Sequence, residues 1–222
     1  MSKEFTYDDK YKFNEKWFDG MIPGWYQIFD HVKQEKEIKD VLEIGCYEGR
    51  ASVFVLENYL GKGDTYTVVD TFGGTLEEHG MKGTAERLKE SDFIYDNFSH
   101  NISFFPDVDF TTYRDRSEYR LPKLVEEGKT YDFIYIDASH RADDTLVDAY
   151  YAHKMLRPGG LLIFDDFGWK SKSDNRLVAS PEFGIRAFVS MYEEDYTVIG
   201  HGYQLALVKK SKWESSTNIK TE

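Results

Sequence analysis

Val41-Leu-Glu-Ile-Gly-Cys-Tyr-Glu-Gly-Arg50 is the stretch that decides the fold of this chain. Its apolar start predicts a short strand that runs into a turn with two glycines, and a helix is predicted over 51–59. A second predicted strand, 65–69, is followed directly by Asp70. In α/β sheets this order forms a crevice for a nucleotide, because glycines let the main chain approach the ligand and the acid accepts hydrogen bonds from ribose hydroxyls.

The spacing of the glycines narrows the choice of nucleotide. A dinucleotide needs G-x-G-x-x-G, in which the second glycine makes room for the pyrophosphate and the third allows close packing of the helix. Gly45 and Gly49 are instead separated by three residues, with the bulky Tyr47 in the middle. The loop therefore favours an adenosine-containing ligand without a pyrophosphate over a nicotinamide dinucleotide. The alternative is a glycine turn with a purely structural role.

Apolar runs typical of strands alternate with helical patterns along the rest of the chain. The further predicted strands cover 109–114, 132–136, 160–164, 195–199 and 203–208. Alternation of this kind predicts an α/β fold with a mostly parallel sheet and helices on both faces. The last two strands are joined by only Gly200-His-Gly202, a connection typical of an antiparallel pair.

The helical pattern is clearest between Asp143 and Leu156. A stripe at positions i, i+3, i+4 and i+7 consists of Leu146, Ala149, Tyr150 and His153. The stripe predicts an amphipathic helix, which Pro158-Gly-Gly160 closes.

Length and composition indicate one globular domain. The chain has 222 residues, of which 41% are hydrophobic, and a mean hydropathy of −0.59. We predict three regions: an aromatic-rich N-terminal cap over 1–37, the main domain over 38–210 and a polar tail over 211–222.

Charge and cysteine content exclude several classes of protein. The net charge of −12 argues against a nucleic-acid partner, which needs a basic surface. No apolar run is long enough to cross a membrane, and the N-terminus lacks the apolar stretch of a signal peptide. The single cysteine, Cys46, rules out an intramolecular disulfide and indicates a reducing compartment, most simply the cytoplasm. A homo-oligomer is compatible with the sequence.

Acidic residues follow two further predicted strands. Asp137 ends the strand over 132–136, and the pair Asp165-Asp166 ends the strand over 160–164. Because ligands of parallel sheets bind beyond the carboxyl ends of the strands, the three carboxylates could converge on one cation. Hard oxygen ligands suit Mg²⁺, and a bound ion would remove the repulsion between clustered carboxylates. Alternatively, these aspartates cap the turn and the helix that follow them.

The motifs around these acids resemble metal-dependent O-methyltransferases. Asp137-Ala-Ser-His140 and Leu156-Arg-Pro-Gly-Gly-Leu-Leu-Ile-Phe-Asp-Asp-Phe-Gly-Trp169 are similar to the catechol and caffeoyl-CoA O-methyltransferase group. The Asp-Asp pair and the histidine are closer to a bacterial subgroup related to macrocin O-methyltransferase. The glycine loop, of the form E-x-G-x-x-x-G, resembles the first motif of class I S-adenosylmethionine-dependent methyltransferases. The resemblance covers about residues 38–210, is weakest over 71–100, and implies the Rossmann-like, seven-stranded fold of that class.

The resemblance also implies roles for individual residues. It places the metal ligands at Asp137, Asp165 and Asp166, and it puts His140 where the family has a catalytic lysine. His140, with Asp137 beside it, would accept the proton of the acceptor hydroxyl, since an imidazole titrates near neutral pH. The residues expected to contact S-adenosylmethionine are Glu43, Gly45, Cys46, Tyr47, Gly49, Asp70, Thr71, Arg116, Ser117 and Asp137. Ser117 could equally be the N-cap of the helix that follows it.

The predicted function is transfer of a methyl group from S-adenosylmethionine to a hydroxyl of a small molecule, assisted by Mg²⁺ or another divalent cation. Three alternatives stay open. They are a metal-free methyltransferase that acts on another nucleophile, a nicotinamide-dependent oxidoreductase on the same kind of sheet, and a non-catalytic protein that binds S-adenosylmethionine.

Overall fold

The structure of the chain, a computed structural model, describes residues 5–74, 92–171 and 174–211. Seven strands within these ranges form one sheet: β1 (Asp40–Ile44), β2 (Thr65–Asp70), β3 (Asp109–Arg114), β4 (Tyr131–Ile136), β5 (Leu156–Phe164), β6 (Tyr196–His201) and β7 (Leu205–Lys209). Their order is β3-β2-β1-β4-β5-β7-β6. The first five pair in parallel, and β7 runs antiparallel to β5 and β6. The predicted sheet is confirmed.

Helices cover both faces of the sheet. They are α1 (Ile22–Val32), α2 (Arg50–Tyr59), α3 (Phe93–Ile102), α4 (Ser117–Glu126), α5 (Ala142–Met155) and α6 (Pro181–Met191), with 3₁₀ helices at Trp17–Met21, Leu177–Ala179 and Glu193–Asp195. Buried side chains of α1, α2 and α3 form one hydrophobic cluster with one face of the sheet, and those of α4, α5 and α6 form a second cluster with the other face. No helix among the described residues is long and apolar enough to cross a membrane.

Alternation of side chains along the strands separates the two clusters. In β1, Val41 belongs to the cluster under α1–α3, and Leu42 belongs to the cluster under α4–α6. The neighbouring β4 repeats this with Phe133 and Ile134, which pair in register with Val41 and Leu42. Because both faces are covered, the side chains of β4 and all but the first of β1 are buried. The carboxyl ends of β1 and β4 therefore lie side by side in the middle of the sheet.

Several aromatic residues before β1 belong to the first cluster. Trp25 and Phe29 of α1 are buried and pack on Phe133, with ring centroids 5.6 and 5.1 Å apart. Nε1 of Trp25 also donates a hydrogen bond of 2.7 Å to the side chain of Gln204. The predicted division of the chain at residue 38 stays a prediction. Residues 1–4 and almost all of the predicted tail, 212–222, lie outside the described ranges.

The connection between α5 and β5 is tighter than the sequence predicts. The helix ends at Met155, and β5 begins at the next residue and contains Pro158-Gly-Gly160. The expected start of the strand at residue 160 was therefore wrong. Gly159 has a φ of +74°, and a side chain at Gly160 would overlap the main-chain oxygen of Arg157 and press tightly on that of Asp132 in β4. The two glycines let the main chain pass close to β4 without a separate turn.

The buried face of α5 also differs from the predicted stripe. Of the four residues in that stripe only Ala149 is buried, and Tyr150 is exposed. The buried side chains are Thr145, Asp148, Ala149, Ala152 and Met155. At the start of α5 the helix α6 approaches closely, since a side chain at Gly184 would overlap the main chain of Ala142. Contact at this distance favours small residues on the inner face of α5.

The segment 71–100, where the resemblance is weakest, is described only in part. Residues 75–91 lie outside the described ranges, and α3 begins at Phe93.

Candidate active site

Two cavities lie beyond the carboxyl ends of the central strands. The first has a volume of about 410 Å³ and is lined by residues that follow β2, β3 and β4. The second has a volume of about 520 Å³ and is lined by residues that follow β4 and β5 and by aromatic residues from the N-terminal region. The two cavities share a wall formed by Tyr47, Asp137, Ala138 and His140.

The glycine loop between β1 and α2 has a left-handed main chain at three positions. Gly45, Tyr47 and Gly49 have φ values of +80°, +51° and +77°. Tyr47 thus takes the conformation that a glycine in the middle of the loop would favour, and its side chain lies in the shared wall. At Gly45 a side chain would overlap the main-chain oxygen of Asp137. The loop therefore needs glycine at Gly45 but accommodates a tyrosine two residues later.

Asp70, the last residue of β2, holds this loop. One oxygen of its carboxylate accepts hydrogen bonds from two main-chain N–H groups of the loop, Cys46 at 2.7 Å and Tyr47 at 3.0 Å. The other oxygen accepts a hydrogen bond from the main-chain N–H of Phe72 at 2.6 Å. The carboxylate also lines the first cavity. A carboxylate has about four acceptor positions, so Asp70 can bind a ligand hydroxyl while it holds the loop.

Glu43 of β1 carries a carboxyl group to the second cavity. The residue is buried, and Oε2 accepts hydrogen bonds from the hydroxyls of Ser52 and Tyr66. The other oxygen, Oε1, has no hydrogen-bond partner among the described residues. Burial raises the pKa of Glu43 to about 7. This oxygen is available to a cationic or hydrogen-bonding group of a ligand.

Asp137 and Asp165 meet at the hydroxyl of Tyr135. That hydroxyl lies 3.1 Å from Oδ2 of Asp137 and 2.5 Å from Oδ2 of Asp165. The amide nitrogen of Gln204 lies 3.4 Å from the same hydroxyl. Burial and the repulsion among the carboxylates raise the pKa of both aspartates. The alternative in which Asp137 caps the following helix is not what the structure has, because the N-cap of α5 is Arg141.

The third aspartate, Asp166, pairs with His140. Nε2 of His140 lies 2.8 Å from Oδ2 of Asp166, and the hydroxyl of Tyr203 donates to Oδ1 at 2.8 Å. The ring of Trp169 packs on the imidazole, with 4.4 Å between ring centroids. Asp166 has a φ of +57°, an uncommon conformation that packing and hydrogen bonds must maintain. The pair is therefore held in one orientation in the second cavity.

A family comparison agrees with this geometry. The sequence profile of a methyltransferase domain matches residues 42–167, more than half of the chain. The chain belongs to this methyltransferase family. The matched residues include the glycine loop, Asp70 and all three aspartates. The protein is a class I methyltransferase that uses S-adenosylmethionine. A comparison with curated protein sequences gives no match.

Solved structures of similar fold include several O-methyltransferases. The O-methyltransferase TomG from Streptomyces achromogenes, in complex with S-adenosylmethionine, gives a TM-score of 0.58 at 15% identity, over 85% of this chain and 81% of that chain. The O-methyltransferase from Bacillus cereus, in complex with S-adenosylhomocysteine, gives 0.55 at 18% identity, over 88% and 83%. The TDP-rhamnose 3'-O-methyltransferase CalS11 of calicheamicin biosynthesis gives 0.52 at 14% identity, over 87% and 81%. At these identities the comparison shows a shared fold.

In this methyltransferase, most of the residues predicted to contact the cofactor line the first cavity. The lining includes Gly45, Tyr47, Asp70, Thr71, Arg116, Ser117 and Asp137. Glu43 and Cys46 line the second cavity, and Gly49 lies against the ring of Phe98. The alternative role of Ser117 as a helix N-cap was wrong, because α4 begins at Ser117 and follows Arg116. Contact of these residues with the cofactor stays a prediction.

The predicted metal ligands share one cavity, but their oxygens have other partners. Asp137, Asp165 and Asp166 all line the second cavity. Their hard oxygens suit a divalent cation, which would also relieve the repulsion that raises the pKa of Asp137 and Asp165. In the present arrangement Tyr135 and His140 contact these oxygens, and among the described residues no group of three or more His, Cys, Asp or Glu side chains is arranged to hold a metal ion. The donors fit Mg²⁺ chemically, and coordination would require them to turn from these partners.

Sequence reasoning missed the side chains that position the aspartates. Tyr135 belongs to an apolar strand pattern and reads as a core residue. Tyr203 and Gln204 come from the β6–β7 connection, far from the motifs in sequence. Asp148 was also missed, although its spacing from Thr145 and Ala152 on α5 was a signal that could have placed it on the buried face.

Proposed function

We propose that this methyltransferase transfers the methyl group of S-adenosylmethionine to a hydroxyl group of a small molecule. The observation that carries the proposal is the wall between the two cavities, because Asp137 and His140 stand in it and face both. A cofactor in the first cavity and an acceptor in the second would meet at these two side chains.

The lining of each cavity supports the assignment of the first cavity to the cofactor and of the second cavity to the acceptor. Asp70 and Gly45 lie at the first cavity, where a carboxylate can accept hydrogen bonds from ribose hydroxyls. The second cavity has an aromatic wall that suits a flat or apolar acceptor. The aromatic residues are Phe13, Trp17, Phe18, Tyr47, Trp169 and Tyr203.

His140 would take the proton of the acceptor hydroxyl. Its Nε2 lies 2.8 Å from a carboxylate oxygen of Asp166, so the imidazole has a partner for the proton that it takes up. Asp166 and Trp169 fix the orientation of the ring. In the arrangement without a metal, Asp166 also stabilises the positive charge that develops on the imidazole.

The transfer is an in-line displacement: the hydroxyl oxygen bonds to the sulfonium methyl group while the carbon–sulfur bond breaks and S-adenosylhomocysteine leaves. The side chains act by holding the two reactants in line and in contact. Mg²⁺ or another divalent cation, held by Asp137, Asp165 and Asp166, would lower the pKa of the hydroxyl as a Lewis acid. Tyr135 positions two of these carboxylates.

The solved structures of similar fold support oxygen as the acceptor atom. TomG and the Bacillus cereus enzyme are named as O-methyltransferases, and CalS11 is named for a sugar hydroxyl. The name of CalS11 favours a sugar hydroxyl as the acceptor, and the aromatic wall of the second cavity favours a phenol.

Product analysis by mass spectrometry tests the reaction. The enzyme is incubated with methyl-labelled S-adenosylmethionine and a panel of catechols, other phenols and sugars, with amines as a comparison. We expect a labelled methyl ether and one S-adenosylhomocysteine per ether. Methylation confined to amines would contradict the proposal, and cofactor binding without turnover on any acceptor would favour the non-catalytic alternative.

His140→Gln tests the proton acceptor. We expect kcat to fall by about 10²-fold to 10⁴-fold, while the affinity for S-adenosylhomocysteine stays within about twofold of the wild type. The matched control is His31→Gln on α1, where the histidine is exposed and lines neither cavity. An unchanged kcat in the His140 variant would remove this residue from the mechanism.

The metal is tested by calorimetric titration with MgCl₂ and MnCl₂, which does not depend on activity. We expect binding by the wild type and its loss in Asp165→Asn. Asp143→Asn, at an exposed position of α5, should keep it. If the wild type binds neither ion and turnover survives chelation, the metal-free methyltransferase is the correct alternative.

A further inference from the structure

Asp148 is a buried acid that the mechanism above does not use. It lies on the inner face of α5 and is 1% exposed. The residue belongs to the lining of the first cavity, together with Ser117 and Glu118 from the start of α4. Asp148 thus faces the cavity that we assign to the cofactor.

The carboxyl group of Asp148 has no hydrogen-bond partner among the described residues. Both oxygens are shielded from solvent and unpaired. The hydroxyl of Ser117 is near enough to lower the pKa of the acid, but its geometry does not meet that of a hydrogen bond. Buried polar groups in native proteins nearly always have a partner, because an unpaired one is costly. The missing partner of Asp148 is therefore expected to come from the occupant of the cavity.

We propose that Asp148 recognises the exocyclic amine of the adenine ring of S-adenosylmethionine. That amine is a donor of two hydrogen bonds, and the carboxyl group supplies the acceptor. Asp70 at the end of β2 marks the position of the ribose, so the base extends towards β3 and the start of α4, where Ser117 lies beside Asp148. The proposal rests on the cofactor occupying the first cavity and not on the identity of the acceptor.

The recognition does not depend on one protonation state. Burial, with repulsion from Asp144 and Glu118, raises the pKa of Asp148 to about 7. As a neutral acid, the group accepts a hydrogen bond from the amine and can donate one to an adjacent ring nitrogen. As a carboxylate, it accepts from the amine alone. The bond to the amine is common to both forms.

The test compares two ligands by isothermal titration calorimetry. One is S-adenosylhomocysteine, and the other is its analogue with purine in place of adenine, which lacks only the exocyclic amine. We expect the wild type to bind S-adenosylhomocysteine at least about tenfold more tightly, as for a buried hydrogen bond whose loss leaves its acceptor unpaired. Asp148→Leu removes the acceptor and should reduce the difference to about twofold or less. Asp148→Asn keeps an acceptor oxygen and should keep the preference.

Controls separate recognition from a structural role of Asp148. Asp143→Asn makes the same change at an exposed position of α5 and should behave as the wild type. If Asp148 only braces Ser117, Asp148→Leu will weaken both ligands equally, and an unchanged ratio overturns the proposal. Melting of the ligand-free variants identifies a loss of folding, which we do not expect, since leucine replaces an unpaired buried acid. Equal affinity of the wild type for the two ligands would overturn the proposal whatever the variants do.

Discussion

At the scale of single residues, Gly45 and Tyr47 in the glycine loop share a left-handed main chain but differ in the space left for a side chain. Tyr47 and Gly45 both have a positive φ, but only Gly45 also lies against the main chain of Asp137. A tyrosine can adopt the left-handed conformation at a modest cost when its side chain has room. The shared wall of the two cavities provides that room at Tyr47. The loop therefore keeps its shape without the middle glycine.

Gly45→Ala should disrupt this loop. The new methyl group would overlap the main-chain oxygen of Asp137, and the positive φ adds a cost of about 1–2 kcal/mol. Because Asp137 stands between the two cavities, its displacement should lower both the melting temperature and the affinity for S-adenosylhomocysteine. Scanning calorimetry and ligand titration measure the two effects.

Gly24→Ala on α1 is the matched control. Gly24 is exposed, and a side chain there would meet no atom within 4 Å. Alanine favours a helix over glycine by roughly 0.5–1 kcal/mol, so this variant should melt slightly higher and bind the ligand as the wild type does. If Gly45→Ala behaved like Gly24→Ala, the close contact with Asp137 would not constrain the loop.

At the scale of elements, the sequence predicted strands better than helix faces. The central strand β4 is buried on both sides, and its run of large apolar and aromatic residues, broken only by Asp132, marks it without knowledge of its neighbours. The inner face of α5 depends on how closely α6 approaches, and that distance is set by Gly184, far away in sequence. Ala149 and Ala152 lie on the buried face, whereas the large Tyr150 is exposed. A pattern of apolar residues within one helix does not contain this information.

In the candidate site, too, some features could be predicted from the sequence and others could not. Asp70, Asp137 and Asp165 stand at or directly after the last residue of a parallel strand, and the rule for such sheets was enough to bring them to one edge. Their hydrogen-bond partners could not be predicted, because Tyr135 lies inside β4 and Gln204 precedes β7. The position of a strand end follows from local sequence, whereas the partner of a side chain follows from packing.

At the scale of the whole molecule, buried acids set the dependence of stability on pH. Glu43 has a pKa raised from 4.5 to about 7 by burial, so the folded state binds its proton more tightly than the unfolded state does. Stability is therefore greatest below the unfolded pKa and falls as the pH rises through the folded pKa. The shift corresponds to a loss of about 3 kcal/mol between these limits. Asp148, whose pKa is also raised to about 7, acts in the same direction.

Glu43→Gln should reduce the loss of folding stability that occurs as the pH rises. Glutamine keeps an acceptor for Ser52 and Tyr66 but carries no charge, so urea unfolding should show a smaller decrease in stability between about pH 5 and about pH 8 than in the wild type. Glu35→Gln, at an exposed position, should leave the decrease unchanged. The same decrease in Glu43→Gln as in the wild type would mean that the acid is not destabilised by burial. A variant that is more stable at high pH but methylates the acceptor more slowly would show that the acid serves the reaction at the expense of the fold.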